Sequence, residues 1–231
     1  MKIEVLRKSL FERNLQAAEQ NRRLLDDRGI TAVNVLGGAG SGKTTLLEML
    51  IPLLRPAISV GVLEGDLATT RDAERIAALG VPVVQLLTDG GCHLTATLVE
   101  QGLHRLPLDD LNCVIIENVG NPICPTNFDL GEHHRLTVLS VAEGDDKPTK
   151  YPHLFQVADA VVISKMDLLD RTNFDVSRAS AFIRALNRAA PIFCTTCREP
   201  ASMHPVADWF RSLQSSLAGA TAPWCPSGEH A

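Results

Sequence analysis

The order of apolar segments predicts an α/β fold in which a mostly parallel central sheet lies between two layers of helices. Three observations indicate this fold. Short β-rich apolar runs alternate with amphipathic helical segments, a glycine-rich loop stands directly between the first strand and the second helix, and acidic residues end two later strands. A strand, a glycine loop and a helix in this order form the first unit of a parallel α/β sheet.

The first helix is expected over residues 3–28, where apolar positions recur among charged ones and Gly29 provides a C-terminal stop. The strands are expected over residues 30–36, 57–66, 81–87, 111–120, 135–145, 158–167 and 190–196. The fourth of these is apolar on both faces, as buried parallel strands are. The other helices are expected over residues 46–54, 69–79, 93–106, 175–189 and 205–217, with Thr69 or Thr70 as the N-cap of the second of these five.

The chain of 231 residues is long enough to bury a core without disulfides, and its 45% hydrophobic and 21% charged residues exclude a disordered chain. We expect an N-terminal helical segment over residues 1–29 packed on one nucleotide-binding domain over residues 30–217. A flexible tail is expected over residues 218–231.

Composition also limits the partners and the compartment. The 22 basic and 27 acidic residues give a net charge of −5, which argues against nucleic acid or an anionic membrane as a partner. No apolar run reaches the roughly 18 residues of a membrane span, and the segment MKIEVLRKSLFERN lacks the core of a signal peptide. The cytoplasm is therefore expected. In that reducing compartment, the six cysteines are core residues, metal ligands or reactive thiols.

The segment GGAGSGKT has the spacing of a phosphate-binding loop, with Gly37 followed after four residues by Gly42, Lys43 and Thr44. Glycines let backbone N–H groups approach phosphate oxygens, Lys43 adds a positive charge, and the Thr44 hydroxyl is placed to bind Mg²⁺. The residues expected to bind nucleotide here are Gly37, Gly38, Ala39, Gly40, Ser41, Gly42, Lys43, Thr44 and Thr45.

Two strands end in acidic residues that are suited to bind the Mg²⁺ ion beside a phosphate-binding loop. Asp66 ends the second strand and Glu117 ends the fourth, and ligands bind at the carboxyl ends of strands in open α/β sheets. Glu117, with Gly120 after it, has the position of a Walker B acid. Asp66 is expected to contact Mg²⁺ or the attacking water. Lys43, Asp66 and Glu117 are therefore the candidate catalytic residues, and Thr44, Asp66 and Glu117 the candidate Mg²⁺ ligands.

The segment Ser164–Lys165–Met166–Asp167 follows a buried strand and has the form of a guanine-reading element, with serine in place of the usual asparagine. The Asp167 carboxylate can accept hydrogen bonds from guanine N1–H and the exocyclic amine, which adenine does not offer. The segment CTTC, which includes Thr196, would contact the base through backbone groups. GTP and GDP are therefore the expected nucleotides.

Cys92 and His93 lie in a glycine-rich loop after the third strand, and Cys124 follows the fourth. Thiolate and imidazole ligands suit Zn²⁺ or Ni²⁺. Three ligands are too few for a closed structural site, so the site is expected to be open, exchangeable or completed across a symmetric dimer. Cys113 is interpreted as a core residue, and Cys194 with Cys197 as structural.

Several long segments together resemble the HypB family, GTPases that help to insert nickel into nickel–iron hydrogenase. The segments that carry the resemblance are NRRLLDDRGI, GGAGSGKTTLL, EGDLATTRDAERI, GGCHL, ENVGNPICPTNFDLGE and SVAEGDDKPTKYP. The resemblance runs from about Asn14 to Leu217, and it implies a three-layer P-loop NTPase fold of the SIMIBI type with GTP-hydrolysing activity.

The resemblance further implies a homodimer formed or tightened by GTP, with Zn²⁺ or Ni²⁺ bound by Cys92, His93 and Cys124 near the dimer interface. It implies two partners, a HypA-type metallochaperone and the hydrogenase large subunit. Three alternatives remain open at this point: a urease-type nickel accessory GTPase, a small-molecule P-loop kinase and a non-catalytic metal-binding module.

Overall fold

A computed structural model describes residues 6–66 and 69–220 of the chain. Seven strands form one sheet in the order β3-β2-β4-β1-β5-β6-β7, and every pairing between them is parallel. The strands are β1 (Thr31–Gly37), β2 (Val60–Asp66), β3 (Val83–Leu87), β4 (Cys113–Glu117), β5 (His134–Ser140), β6 (Ala160–Ser164) and β7 (Ile192–Cys194). The predicted parallel α/β fold is confirmed.

Helices connect these strands and cover both faces of the sheet. They are α1 (Leu6–Asp26), α2 (Lys43–Leu54), α3 (Arg71–Ala77), α4 (Ala96–Leu103), α5 (Lys147–Lys150), α6 (Pro152–Gln156), α7 (Val176–Leu186) and α8 (His204–Ala220). Over the described residues, none of these helices combines the length and apolar character needed to cross a membrane. The predicted tail begins at residue 218, so residues 221–231 of it lie outside the described part.

Apolar side chains alternate between the two faces of the sheet and build a core on each. In β1, Val33 and Val35 pack with α2 and α8 on one face, whereas Ala32 and Leu36 point to the other face. That second face holds two clusters, one with α1 and α4 and one with α6 and α7. This burial on both faces fixes the sheet register, and with it the positions at which the strands end.

Two buried asparagines attach α1 to the loops beyond β3 and β4. Asn14 donates to the carbonyl of Asp129 at 2.7 Å and accepts from the amide of Ala96 at 2.8 Å. Asn21 donates to the carbonyls of Ala96 and Leu130 at 2.8 and 2.9 Å. The helix ends just before Gly29, whose φ of 64° suits a left-handed stop.

Several strands are shorter than the sequence predicts at their carboxyl ends. β4 ends at Glu117 and not at residue 120, and β6 ends at Ser164 because Lys165 adopts a left-handed φ of 60°. β5 ends at Ser140, where the Glu143 carboxylate accepts from the Ser140 amide at 2.7 Å and closes a turn. The sequence also does not predict the short helices α5 and α6.

Candidate functional site

The predicted site residues gather where the central strands end. β1 leads into the glycine loop, β2 ends at Asp66, β4 at Glu117 and β6 at Ser164, all at one edge of the sheet. Two adjoining cavities open at this edge, a phosphate-side cavity of about 400 Å³ and a base-side cavity of about 290 Å³. Both are lined by Gly42, Thr45 and Lys165. The two cavities therefore form one elongated cleft.

The glycine loop forms the floor of the phosphate-side cavity. Gly40 and Gly42 have φ values of 74° and 94°, which residues other than glycine rarely adopt. Of the predicted loop residues, the ones that line this cavity are Ala39, Gly40, Gly42, Lys43, Thr44 and Thr45. Gly37, Gly38 and Ser41 do not line it, and Ser41 is fully buried.

Lys43 lies buried beneath the loop, where its ammonium donates to the Gly38 carbonyl at 3.3 Å. Burial lowers the pKa of Lys43, and the Glu117 carboxylate opposes this effect. The Thr44 hydroxyl donates to Glu117 Oε1 at 2.7 Å, which joins the start of α2 to the end of β4. The structure thus brings together Lys43, Thr44 and Glu117.

A second buried carboxyl group, Glu64, faces Glu117 in the same cavity. The two residues are register partners on β2 and β4, and each keeps one oxygen with no hydrogen-bond donor among the described residues. Burial and the neighbouring Glu117 raise the pKa of Glu64 to about 11. Burial also raises the pKa of Glu117. Without a bound cation, one carboxyl group of such a pair stays protonated.

Asp66 lies at the rim of the phosphate-side cavity, less buried than Glu64. The Thr69 hydroxyl donates to the Asp66 carboxylate. Arg75, also on this wall, forms ion pairs with Glu48 at 2.6 Å and Asp72 at 2.7 Å. Asp66 is predicted from the sequence and Glu64 is not, although Glu64 lies two residues earlier on the same face of β2.

Asp167 and Thr196 meet in the base-side cavity. The Thr196 hydroxyl donates to Asp167 Oδ1 at 2.8 Å, and Arg198 Nε lies 3.2 Å from Asp167 Oδ2. The Asp167 side chain is only 15% exposed, whereas that of Arg198 is 71% exposed. Arg198 is a second residue that the sequence analysis misses, because a charged residue in an exposed loop carries no pattern of its own.

Ser164 and Lys165 join the base-side segment to the glycine loop. The Ser164 hydroxyl donates to the Ser41 carbonyl at 2.6 Å, and the Lys165 ammonium donates to the Gly40 carbonyl at 2.5 Å. Serine at position 164 therefore still supports the loop through its short side chain. These two contacts connect the walls of the two cavities.

The three predicted soft-metal ligands come from two neighbouring loops. Cys92 Sγ lies 3.5 Å from His93 Nδ1. The nearby Cys124 thiol raises the pKa of Cys92. Asn121 joins the two loops, because it donates to the Cys92 carbonyl at 3.3 Å and accepts from the Cys124 amide at 3.4 Å. Within one copy, the described residues include no group of three or more His, Cys, Asp or Glu side chains that could hold a metal. Cys92 is thus close to both His93 and Cys124, but the described residues of one copy do not form a three-ligand metal site.

The His93 ring stacks on Phe128 with centroids 3.8 Å apart, and Phe128 stacks in turn on Phe11 of α1 at 5.2 Å. Burial lowers the pKa of His93, which favours the neutral imidazole that binds metals. The stack fixes the His93 ring against the loop that carries Cys124.

The other cysteines lie apart from this pair of loops. Cys113 is fully buried in β4, in agreement with the core interpretation, and burial raises its pKa to about 12. Cys194 and Cys197 are exposed free thiols, and Cys197 lines the base-side cavity. The prediction that this pair is structural stays a prediction.

A parallel sheet with a glycine loop, a buried lysine and paired carboxyl groups at its carboxyl edge defines a P-loop nucleotide-binding protein. A family model described as the CobW/HypB/UreG nucleotide-binding domain matches residues 31–194. The hydrogenase maturation factor HypB of Escherichia coli K12 is 41% identical over 203 residues, which are 88% of this chain and 70% of that protein.

The hydrogenase/urease maturation factor HypB of Helicobacter pylori J99 is 40% identical over 205 residues, 87% of this chain and 84% of that protein. A crystal structure of HypB from Helicobacter pylori in complex with nickel matches with a TM-score of 0.85 and 36% identity, covering 92% of this chain and all of that chain. The chain belongs to the HypB hydrogenase maturation factors. The suspected family and the P-loop fold are thereby confirmed.

Proposed function

We propose that this protein hydrolyses GTP to GDP and phosphate and uses the nucleotide state to control delivery of nickel to a nickel–iron hydrogenase large subunit. The observation that carries the proposal is the bridge that Asn121 makes between the loops of Cys92 and Cys124, donating to the Cys92 carbonyl at 3.3 Å and accepting from the Cys124 amide at 3.4 Å. It brings two soft ligands from different loops together beside a nucleotide cleft. Nickel is the cargo in this proposal, and GTP is the ligand that controls its binding.

In the proposed complex, the phosphates lie on the glycine loop and the Lys43 ammonium turns from the Gly38 carbonyl to a phosphate oxygen. Asp66, at the rim of the cavity, orients the water that attacks the terminal phosphate. The base lies in the other cavity, where Asp167 accepts from guanine N1–H and the exocyclic amine. Thr196 and Lys165 hold the walls of that cavity in place.

The residues of the phosphate-side cavity fit a Mg²⁺ ion. Glu64 and Glu117 each keep a buried oxygen without a donor, and the Thr44 hydroxyl lies on the same wall. Hard oxygen ligands of this kind are those that Mg²⁺ prefers. Thr44, Glu117 and Asp66 would hold the ion, directly or through water, with Glu64 beside them. When bound, the ion would neutralise charge that develops on the phosphates.

The soft-metal site is proposed to form between two copies of the chain. Cys92, His93 and Cys124 supply three ligands of the right chemistry for Ni²⁺ or Zn²⁺, but the described part of one copy does not assemble them. A symmetric dimer would bring two sets together. We propose that GTP favours this dimer, and that a HypA-type metallochaperone is the other partner.

The hydrogenase/urease name of the Helicobacter pylori relative makes urease maturation a second candidate role. Both roles need the same site, and the enzyme that receives the nickel distinguishes them. A small-molecule kinase would leave the cysteine and histidine loops without a use. A non-catalytic metal-binding module would deliver nickel equally well after Lys43→Ala, whereas a nucleotide-controlled one would not.

Metal stoichiometry tests the proposal directly. Purified protein loaded with nickel is analysed for bound metal with GDP and with a non-hydrolysable GTP analogue, and its mass is measured by light scattering. We expect a dimer with the analogue and a loss of bound nickel in Cys92→Ala. Cys194→Ala is the matched control, because that exposed thiol lies at the end of β7 and lines neither cavity. Equal nickel in wild type and Cys92→Ala would refute the site.

A further inference from the structure

A chain of buried polar side chains runs from the phosphate-side cavity into the sheet. Asn118, directly after β4, lines the cavity and is 1% exposed. Its side-chain nitrogen donates to Asn34 Oδ1 at 3.2 Å, and Asn34 Nδ2 donates to Glu132 Oε1 at 3.1 Å. Asn34 lies within β1, is fully buried and lines neither cavity. We refer to Asn118, Asn34 and Glu132 as the amide relay.

The cavity end of the relay contacts the loop that carries Cys92 and His93. Asn118 Oδ1 accepts from its neighbour Val119 at 3.0 Å and lies 3.5 Å from the backbone nitrogen of Leu94. Leu94 is the residue directly after His93 and is fully buried. A displacement of the Asn118 side chain therefore changes the support of this loop at its first buried position.

The far end of the relay contacts the loop that carries Cys124. Glu132 Oε2 accepts from the Leu130 amide at 2.7 Å, and Glu132 Oε1 accepts from Arg135 Nε at 2.6 Å. Arg135 also donates to the carbonyl of Thr126 at 3.3 Å, within the turn Cys124–Asn127. The Glu132 carboxylate thus contacts this loop directly at Leu130 and, through Arg135, at Thr126.

The nucleotide side of the relay is packed against the glycine loop. A Cβ added to Gly120 would lie 2.8 Å from Ala39 Cα, so the segment after β4 and the phosphate loop are in close contact. If the phosphate loop moves when the terminal phosphate binds or leaves, it would displace Gly120, which it contacts. Asn118, two residues before Gly120, would then move as well. Because buried amides must keep their partners, such a shift is passed on along the relay.

We propose that the amide relay couples the nucleotide state to nickel affinity, with Asn34 as a positioning residue that touches neither ligand. This inference rests on the proposed function, since it assumes that nickel binds at the Cys92, His93 and Cys124 loops. It predicts that the coupling, and not the binding of either ligand, depends on a side chain in the middle of β1.

The test measures a coupling factor, the ratio of Ni²⁺ dissociation constants with GDP and with a non-hydrolysable GTP analogue. The full chain is titrated against a chromophoric chelator as wild type, Asn34→Ala and Asn118→Asp. The aspartate keeps the acceptor for Leu94 but cannot donate to Asn34. Asn112→Ala is the matched control, because Asn112 is an exposed asparagine at the opposite edge of the sheet, where it accepts from Ser59.

We expect a factor of about fivefold or more for wild type and Asn112→Ala. For Asn34→Ala and Asn118→Asp, each saturated with nucleotide, we expect a factor within twofold of one. Only for Asn34→Ala, whose side chain lines neither cavity, do we expect the Ni²⁺ affinity in GDP to change by less than threefold. If Asn34→Ala does not fold, Asn118→Asp decides the question. A wild-type factor of one would refute the proposed function itself. A large wild-type factor retained in the folded relay variants would refute the relay alone.

Discussion

Replacing Asp167 by asparagine tests the base-side cavity, because the change keeps the shape of the side chain and removes its charge. In the structure, Asp167 Oδ1 accepts from Thr196 and Oδ2 lies 3.2 Å from Arg198 Nε. Guanine would present two donors to this carboxylate. Asparagine keeps one acceptor and turns an NH₂ group toward the exocyclic amine of the base.

The expected loss follows from the strength of hydrogen bonds to charged groups. One such bond contributes about 1.5–3 kcal/mol, so replacing it with two opposed donors weakens GDP binding by about 10- to 150-fold. Arg198 changes this figure little, because its guanidinium is 71% exposed and a pair of that kind contributes only about 0–1 kcal/mol.

Isothermal titration calorimetry of nucleotide-free protein measures the expected loss of GDP affinity and the expected gain of XDP affinity. XDP carries a carbonyl oxygen where guanine has its amine, so Asp167→Asn should bind XDP more tightly than wild type does. Asp170→Asn is the control, since Asp170 is an exposed aspartate in the same turn, outside both cavities. GDP affinity within threefold of wild type in Asp167→Asn would refute the assignment of this cavity to the base.

Three further changes test the phosphate-side cavity and the fold. Gly120→Ala would place a Cβ 2.8 Å from Ala39 Cα, so nucleotide affinity should fall by about tenfold in a titration with GDP. His133→Ala removes the imidazole that accepts from the Ala32 amide at 2.8 Å, and the free energy of unfolding in urea should fall by about 1–3 kcal/mol. Glu64→Gln should stabilise protein free of nucleotide and magnesium, more at pH 8 than at pH 5, in thermal unfolding.

The sign of the Glu64 prediction follows from its pKa. The folded protein keeps this proton up to a pKa of about 11, whereas the unfolded chain releases it near 4.5. Stability therefore falls as pH rises between these values, and glutamine removes that dependence. If the stabilisation by Glu64→Gln did not change with pH, it would contradict the proton proposed on the Glu64 carboxyl group. Unchanged GDP affinity in Gly120→Ala, or an unchanged urea midpoint in His133→Ala, would contradict the close contacts invoked for those residues.

The sequence predicts the sheet and its helices well, because apolar periodicity and the glycine loop are local patterns. It places the ends of the strands poorly. β4 is followed by the neutral residues Asn118 and Val119 and β6 by Lys165, and any of these could continue a strand. The chain turns at both places because of contacts with distant segments. Lys165, for example, takes a left-handed conformation while its side chain reaches the glycine loop.

The residues of the candidate site also differ in how well the sequence predicts them. The loop glycines and Asp167 follow spacings that can be read directly from the sequence, and in the structure Asp167 accepts a hydrogen bond from Thr196. Glu64 and Asn34 have no such spacing. Each lies within a mostly apolar strand, and its part in the site depends on which strand becomes its neighbour, which is a property of the assembled sheet.

The asparagines of α1 join this helix to segments far along the chain. Asn14 bonds to a residue 115 positions later and Asn21 to one 75 positions later, so α1 gains these partners only after the middle of the chain has been synthesised. Among the described residues, none of α1 lines the two cavities of the cleft, whereas α1 supports the loops of Cys92 and Cys124 through its bonds to Ala96 and Asp129. During biosynthesis, the capacity to hold a nucleotide can therefore precede the capacity to hold a metal.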